Sequence, residues 1–397
     1  MKANVIFQGD NLEIMKELEP NKIQLIYIDP PFCANNVFKS KAWGKKVVSF
    51  NDEWGGGVQS YIRWLVPRLR ECWRLLSPTG VFCLHLDQRS SHYARVELDK
   101  IFGENNFINE IIWCYSNSGR SKKGFSKKHD TILVYSKSKD FFWNDYKIPV
   151  SEKYLKSHYK QIDKNGKRCR IRVDAGKTRI YYPESGMTCN DWWIDIPSVN
   201  SMAKERIGYP TQKPLTLLDR FVEAFTDKND MVFDAFSGCG TTISSAQNLG
   251  RQWLGIDISK DAISVIRKRM AKEHQLKVQV IKVGTLSRAE VYRLNPFEFE
   301  RQMVKMIGGT PNLKKVGDGG IDGFCYDHTP IQVKKSFSVG RPVIDAFYKH
   351  VKNGNGRGVI IARSFSSGAF EEVNKLFNEE GLTIDLVPSD DIIRDAS

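Results

Sequence analysis

No run in the 397-residue sequence approaches the roughly eighteen apolar residues that a membrane-spanning helix needs, so a membrane protein is not expected. The apolar stretch after Met1-Lys2-Ala3-Asn4 is only a few residues long, too short for a secretory signal. The eight cysteines are scattered and include no Cys-x-x-Cys pair. Neither a zinc site nor a disulfide framework is expected, and a reducing cytoplasm fits best. Internal repeats and low-complexity tracts are also missing, which sets aside solenoid architectures. Acidic residues are too few to balance the basic ones: 46 against 60, a net charge of +14. That excess suits either a solvated basic surface or a polyanionic partner such as nucleic acid.

The chain is long for one domain, and two or three are expected. Ile23-Gln-Leu-Ile-Tyr-Ile28 reads as a short buried strand ended by Asp29. Residues 60–76 carry a helical apolar pattern through Ile62, Leu65, Leu69, Trp73 and Leu76, and Pro78-Thr79-Gly80 reads as a turn. Val81 to Leu86 reads as the next strand. After Pro214 come a helix at 215–226, a strand at 231–233, a helix at 241–249, a strand at 252–256 and a basic helix at 260–274. Alternation of this kind predicts a parallel sheet flanked by helices. Between Asn117 and Arg179 the character changes. Arg120, Lys122, Lys127, Arg168, Arg170, Arg172, Lys177 and Arg179 interleave with Phe125, Trp143, Tyr154 and Tyr159. This is either an irregular surface insertion or a region that attracts phosphates and stacks bases. The regular pattern lapses near 284–294, and a new unit starts at Asn295-Pro296.

Met231 to Thr242 reads as strand, glycine turn and helix start. Gly238 and Gly240 let the backbone pass close to a ligand, and Thr241 and Thr242 suit a helix N-terminus. Such turns bind nucleotides at the C-terminal edge of a parallel sheet. Ile243 stands where a dinucleotide fingerprint wants a small residue, and no Gly-Lys-Ser/Thr follows the turn, so NAD and a P-loop are both disfavoured. One strand later Asp257 can accept both hydroxyls of a ribose. The same residues could also be no more than a tight turn and a helix cap.

Asp29-Pro30-Pro31-Phe32 could likewise be a rigid turn. Its residue types also suit amine chemistry. The lone pair of an exocyclic base amine is delocalised into the ring, which makes the nitrogen a poor nucleophile. Asp29 can accept one amino N–H, and the carbonyl of Pro30 the other, leaving a pyramidal nitrogen whose lone pair points at a methyl donor. Phe32 can stack on the base. The contribution is positioning and electrostatics, and a base in a duplex must flip to reach such a pocket.

With both loops in view, residues 1–285 resemble the amino-methyltransferases of DNA in their β arrangement, in which the catalytic loop precedes the cofactor loop. The resemblance implies a Rossmann-like, circularly permuted α/β sheet that binds S-adenosyl-L-methionine. Phe236-Ser-Gly-Cys-Gly240 resembles the family's Phe-x-Gly-x-Gly element, preceded by Asp234. Tyr209-Pro-Thr-Gln-Lys-Pro214, with Thr211, Lys213 and Pro214, resembles the element that closes over the methionine part of the cofactor. His85-Leu86-Asp87 resembles the family's turn after the catalytic strand. Gly9-Asp10 resembles an element near the cofactor's adenine. The basic segment, taken as 113–200, falls where the family places its target-recognition insertion. Asp29 at the first position of the catalytic loop favours N6-adenine over N4-cytosine, with an RNA substrate as the rival. The expected partner is double-stranded DNA, and a homodimer is a further expectation.

Residues 295–397 hold Gly317-Asp-Gly-Gly-Ile-Asp-Gly323, followed by a strand-like Ile331-Gln-Val-Lys334. Gly358 to Ala362 reads as another strand, with Ser364 to Gly368 as its loop. An Asp and a polar-x-Lys on neighbouring strands can hold Mg²⁺ and orient water for phosphodiester cleavage. This resembles the Mrr-like restriction endonuclease domain of the PD-(D/E)xK class, a smaller α/β fold. The resemblance implies Asp322 and Gln332 as metal ligands, Lys334 as the catalytic lysine and Glu300 as the acidic residue of the first helix. Gln332 departs from the usual carboxylate. The whole then reads as a modification and restriction protein. The alternatives are a solitary methyltransferase whose C-terminal unit only binds DNA or docks a partner, and a nuclease that cuts modified DNA.

Overall fold

A computed structural model describes residues 2–34, 36–42, 46–52, 54, 57–116, 121–284, 286–312, 320–325 and 327–393. Of the expectations above, Asn117, Arg120, Gly317, Asp318 and Gly319 lie outside the described residues.

The first strands are β1 (Val5–Gln8), β2 (Ile23–Ile28), β3 (Leu76–Leu86), β4 (Phe107–Cys114), β5 (His129–Ser136) and β6 (Trp192–Trp193). They join β7 (Met231–Asp234), β8 (Gln252–Asp257) and β9 (Gln279–Lys282) in one sheet ordered β6-β4-β5-β3-β2-β7-β8-β1-β9. Each neighbouring pair is parallel except those of β5, which runs against both β3 and β4. Every residue of β2 is buried, as a central strand covered on both faces requires.

One face is covered by α1 (Asn11–Lys16), α2 (Gly57–Leu75) and α3 (Ser91–Phe102), where Tyr61, Leu65, Leu69 and Leu98 meet Ile26, Ile28, Leu84 and Phe233. The other face is covered by α4 (Leu215–Phe225), α5 (Thr241–Asn248) and α6 (Lys260–His274), where Phe221, Ile243 and Ile266 meet Leu25, Tyr27 and Val232. The alternation of Leu25, Ile26, Tyr27 and Ile28 between the two cores is the period of two of a strand.

Three local readings change. Pro78-Thr79-Gly80 is the irregular opening of β3 rather than a free turn: Leu76 pairs with Ile23, Val81 with Leu25, and the register shift between them absorbs the extra residues. β5 lies inside the stretch read as a basic insertion, yet Asp130 to Ser136 are all buried. Lysines on either side of Thr131-Ile-Leu-Val-Tyr135 disguise a core strand. The interval 284–294 also holds a helix, α7 (Arg288–Arg293), opened by a capping box between Ser287 and Glu290. The excursion between β5 and β6 pairs Arg168–Asp174 with Lys177–Tyr181 in antiparallel fashion. Its outer strand is exposed throughout.

After α8 (Pro296–Met306) comes a second sheet: β10 (Thr310–Pro311), β11 (Gly323–Phe324), β12 (Pro330–Lys334), β13 (Arg357–Ala362) and β14 (Thr383–Pro388), in chain order across the sheet. The first two pairings are antiparallel and the last two parallel. Helix α8 packs Phe299, Met303 and Val304 on Ile331, Val333, Val359 and Ile361; Val291 of α7 joins this core. Helices α9 (Arg341–Asn353) and α10 (Ser367–Glu380) cover the opposite face at Ile360 and Ile384. Part of the stretch from Ser364 to Gly368, read as a loop, is therefore already the start of α10. A short α11 (Ser389–Ile392) follows and packs on α2 and α8.

Candidate active site

The catalytic and cofactor loops leave neighbouring strands. β2 and β7 are parallel partners, with Ile26 opposite Phe233, so Asp29 and Asp234 emerge at the same sheet edge. Both loops line one cavity of about 410 Å³, a volume ordinary for a small-molecule site.

The Asp29-Pro-Pro-Phe32 loop is held from outside itself. Asp52 is only 1% exposed and accepts the backbone N–H groups of Phe32 at 3.0 Å, Cys33 at 2.9 Å and Ala34 at 2.8 Å. The Trp54 indole N–H donates to the same carboxylate at 3.0 Å. Charge-assisted bonds of this kind stabilise by about 1.5–3 kcal/mol each. They hold Cys33 at a φ of +62°, a left-handed conformation uncommon for a residue with a Cβ. Lys213 Nζ meets Asp29 Oδ2 at 2.6 Å and lies 4.9 Å from the centre of the Phe32 ring.

Beneath Phe32 sits the imidazole of His85, stacked at 5.8 Å and fully buried. His85 Nδ1 lies 2.6 Å from the Tyr27 hydroxyl oxygen, Nε2 lies 3.1 Å from Asp130, and Tyr115 donates to Asp130 at 2.9 Å. Burial pushes the Asp130 carboxyl up, but the hydrogen bond and charge of His85, with help from Lys213 and Tyr115, bring it below its ordinary value.

The cofactor loop is held by its own neighbours. Asp234 accepts the Phe236 N–H at 2.9 Å, and Asp257 accepts the N–H groups of Gly238 at 2.7 Å and Ser259 at 2.8 Å. Burial raises Asp234 to about 7 and Asp257 to about 6, the latter against the pull of the Ser259 and Gly238 amides. Both oxygens of Asp257 thus already carry a backbone donor, and only their second lone pairs remain for a ribose. Gly238 and Gly240 adopt φ of +51° and +74°. Thr241 and Thr242 open α5 as expected, but its N-cap is Gly240 and no side chain caps it. Thr241 instead accepts from Arg269 at 3.0 Å. Asp10 is a cap, accepting the N–H of Leu12 at 2.9 Å while pairing with Arg68 at 2.9 Å.

Of the residues expected at this site, Asp10, Asp29, Pro30, Pro31, Phe32, Thr211, Lys213, Asp234, Phe236, Gly238, Thr241 and Asp257 line the cavity, whereas Pro214 and Gly240 do not. Thr211 is at a φ of +57° in the segment 209–213 that lines the cavity. Sequence reasoning missed Asp52, whose partners are distant in sequence. It also missed Trp64, a cavity residue 5.7 Å from Phe236 and under the Arg68 guanidinium at 4.1 Å. The Trp64/Arg68 spacing of four on a helix was the available signal.

In the C-terminal unit, Asp322 Oδ2 accepts the Val333 N–H at 2.6 Å, which sets its carboxylate beside β12. Gln332 and Lys334 share the strand face opposite Ile331 and Val333. Gln332 is 5% exposed, and its Oε1 has no hydrogen-bond partner among the described residues. Glu300 lies on α8, which packs against the other face. Among the described residues, no three His, Cys, Asp or Glu side chains gather as a metal cluster, and no helix is long and apolar enough to cross a membrane. Among the described residues no disulfide is formed.

The sequence profile of the family described as DNA methylase matches residues 23–268, a span that holds both loops. The chain belongs to that family. The type II methyltransferase M.HpaI of Haemophilus parainfluenzae is 29% identical over 263 residues, 66% of this chain and 72% of that protein. The DNA adenine methyltransferase YhdJ of Escherichia coli (strain K12) is 28% identical over 296 residues, 72% of this chain and 91% of that protein. Among solved structures, TTHA0409 of Thermus thermophilus, complexed with S-adenosyl-L-methionine, superposes with a TM-score of 0.46 at 19% identity, covering 71% of this chain and 100% of that one. The cytosine-N4-specific PvuII DNA methyltransferase superposes with a TM-score of 0.43 at 16% identity, covering 67% and 86%. The DNA methylase match ends before α7, so α7 and the second sheet lie beyond it.

Proposed function

We infer that this DNA methylase transfers a methyl group from S-adenosyl-L-methionine to the exocyclic amine of a flipped base in double-stranded DNA, with N6 of adenine as target. The observation that carries this reading is the single cavity shared by the Asp29 and Gly238 loops. Its lining suits a nucleoside joined to an amino acid: a glycine turn, the Asp257 and Asp10 carboxylates as acceptors, and the aromatic faces of Trp64 and Phe236. When bound, the cofactor supplies an electrophilic methyl group. Lys213 orients the Asp29 carboxylate, which accepts one amino N–H. The Pro30 carbonyl accepts the other. Phe32, backed by His85, offers a face for the base. Asp52 keeps the loop from relaxing, so little reorganisation is left for the reaction itself. The exposed Lys177–Tyr181 strand and its basic neighbours suit phosphate contacts.

Nucleoside mass spectrometry of DNA and RNA treated with the protein and cofactor tests this. N6-methyladenine in DNA is expected. Methylated RNA beside unmodified DNA would overturn the substrate, and N4-methylcytosine alone would overturn the base.

The second half of the reading is Mg²⁺-dependent cleavage of unmethylated DNA by the C-terminal unit. Its support is the buried Gln332 side-chain carbonyl, without a hydrogen-bond partner among the described residues, on the strand whose Val333 N–H the Asp322 carboxylate accepts; both oxygens are of the kind a hard cation takes. Asp322 and Gln332 would hold the ion; Glu300, on the helix packed against the opposite strand face, is left out of the set. Lys334, on the same strand face, would orient water. Unmethylated plasmid should be cut in Mg²⁺, and Lys334→Ala should end cutting while sparing methylation. Intact plasmid with every divalent metal tried would leave a DNA-binding or partner-docking unit, and cutting of premethylated plasmid alone would reverse the specificity.

A further inference from the structure

The cofactor cavity does not end where the DNA methylase match ends. Arg288, Asp390 and Ile393 line it together with Gly9, Asp10, Ile258 and Ser259, although residues 23–268 are the span that the family accounts for. These three residues are not loose chain. Arg288 pairs with Asp390. Asp390 accepts from the Tyr292 hydroxyl at 2.5 Å, and the same hydroxyl lies 2.7 Å from Ser389. Ile393 is buried in the core that α7 and α8 share with the second sheet. The wall is therefore part of the C-terminal unit's own packing.

That unit is seated on the helix that builds the same end of the cavity. Arg63 of α2 pairs with Asp385 of β14. Gly308 lies so close to Pro67 of α2 that a Cβ there would come within 2.5 Å of the proline ring. One residue from each of these contacts stand Trp64, which lines the cavity, and Arg68, which fixes Asp10. Docking face and cavity face are two sides of one helix.

We propose that the C-terminal unit is a structural part of the cofactor site: the Arg288–Asp390 pair and Ile393 complete the wall around the adenosyl end, and cofactor binding in turn tightens the seating of the unit on α2. This rests on the reading of the cavity as the cofactor site. The reciprocity is a thermodynamic requirement: a ligand that binds the seated form better than the unseated one stabilises the seated form by the same factor. The state of the cofactor pocket is thereby transmitted to the second sheet without any contact between cofactor and β12.

The test uses the full-length protein and S-adenosylhomocysteine as probe, with calorimetry as readout. Asp390→Ala and Ile393→Asp should each weaken binding about five-fold or more. Arg63→Glu should weaken it as well, by placing two negative charges at the seam, and Arg63→Glu combined with Asp385→Arg should restore it. That rescue separates a lost wall from a damaged fold. Lys352→Ala, in an exposed pair with Glu380 on the outer helices, should change nothing. Hydrogen exchange of wild-type protein should show added protection at 288–293 and 389–393 when the probe binds. Binding within about two-fold of wild type in the wall variants, with unchanged exchange, overturns the proposal and leaves the cofactor reading standing. Failure of the wild-type chain to bind the probe overturns the cofactor reading and this proposal with it.

Discussion

The two loops at the sheet edge are stiffened in opposite ways. The cofactor loop supports itself: Asp234 holds Phe236 two residues on, and Asp257, on the adjacent strand, holds Gly238. The catalytic loop depends on strangers. Its amides converge on Asp52, its carboxylate meets Lys213 from the far side of the insertion, and its aromatic ring rests on His85. A ligand loop built from glycine can shape itself, because its backbone reaches conformations closed to other residues. A loop built from proline has fewer N–H groups of its own and must be fixed by side chains brought in by the fold.

The largest expected effect tests the chemistry of the dependent loop. Asp29→Ala should lower methyl transfer by about 10³-fold or more while cofactor binding is retained, measured by single-turnover transfer and calorimetry. Unchanged turnover would remove Asp29 from the mechanism. Next comes its support: Asp52→Ala strands three amides and should cost about 2–4 kcal/mol of stability together with about 10²-fold in rate. A variant with normal rate and melting temperature would erase the contrast between the loops. A smaller effect belongs to the self-supporting loop. Gly238→Ala places a Cβ at a φ of +51° and 3.4 Å from the Tyr209 ring, which should weaken the cofactor by about ten-fold and leave saturated turnover nearly intact.

The smallest effect is one of pH. Asp234 and Asp257, raised by burial to about 7 and about 6, keep their protons in the folded chain where the unfolded chain has already released them. Their contribution to stability is therefore full near pH 4 and lost as pH rises toward about 7. Asp234→Asn should raise the melting temperature of the cofactor-free protein by a few degrees at about pH 8 and leave it unchanged near pH 4. A rise of equal size at both values would mean that packing, not ionisation, is responsible.

The same contrast decides what could be read from the sequence. Gly238, Gly240 and Asp257 announce themselves because their partners are near in sequence or one strand away. Asp29 to Phe32 announce a rigid turn and an acceptor, but nothing in Asp52 or Trp54 says that they close over it. The strands and helices after Pro214 follow the expected ranges closely, since each carries a clear period. β5 escaped because its neighbours are lysines, and α7 because a single buried residue, Val291, ties it to a core. Of the C-terminal strands, β12 and β13 were legible as strands, and β10, β11 and β14 were not. That Gln332 would be buried with an unpartnered oxygen was not, because burial at one position of a short strand depends on helices yet to come in the chain.

The reversed strand β5 has a consequence for how the enzyme can change. Because it runs against β4, the segment joining Cys114 to His129 begins and ends at the active edge, and the Tyr115–Asp130 bond closes its base beside His85. Length added there lies outside the ladder and costs only loop-closure entropy, a fraction of a kcal/mol for each doubling (about 0.6). The segment is thus an exchangeable part mounted on a fixed socket. Changes of sequence at this place leave the pairing of the sheet untouched.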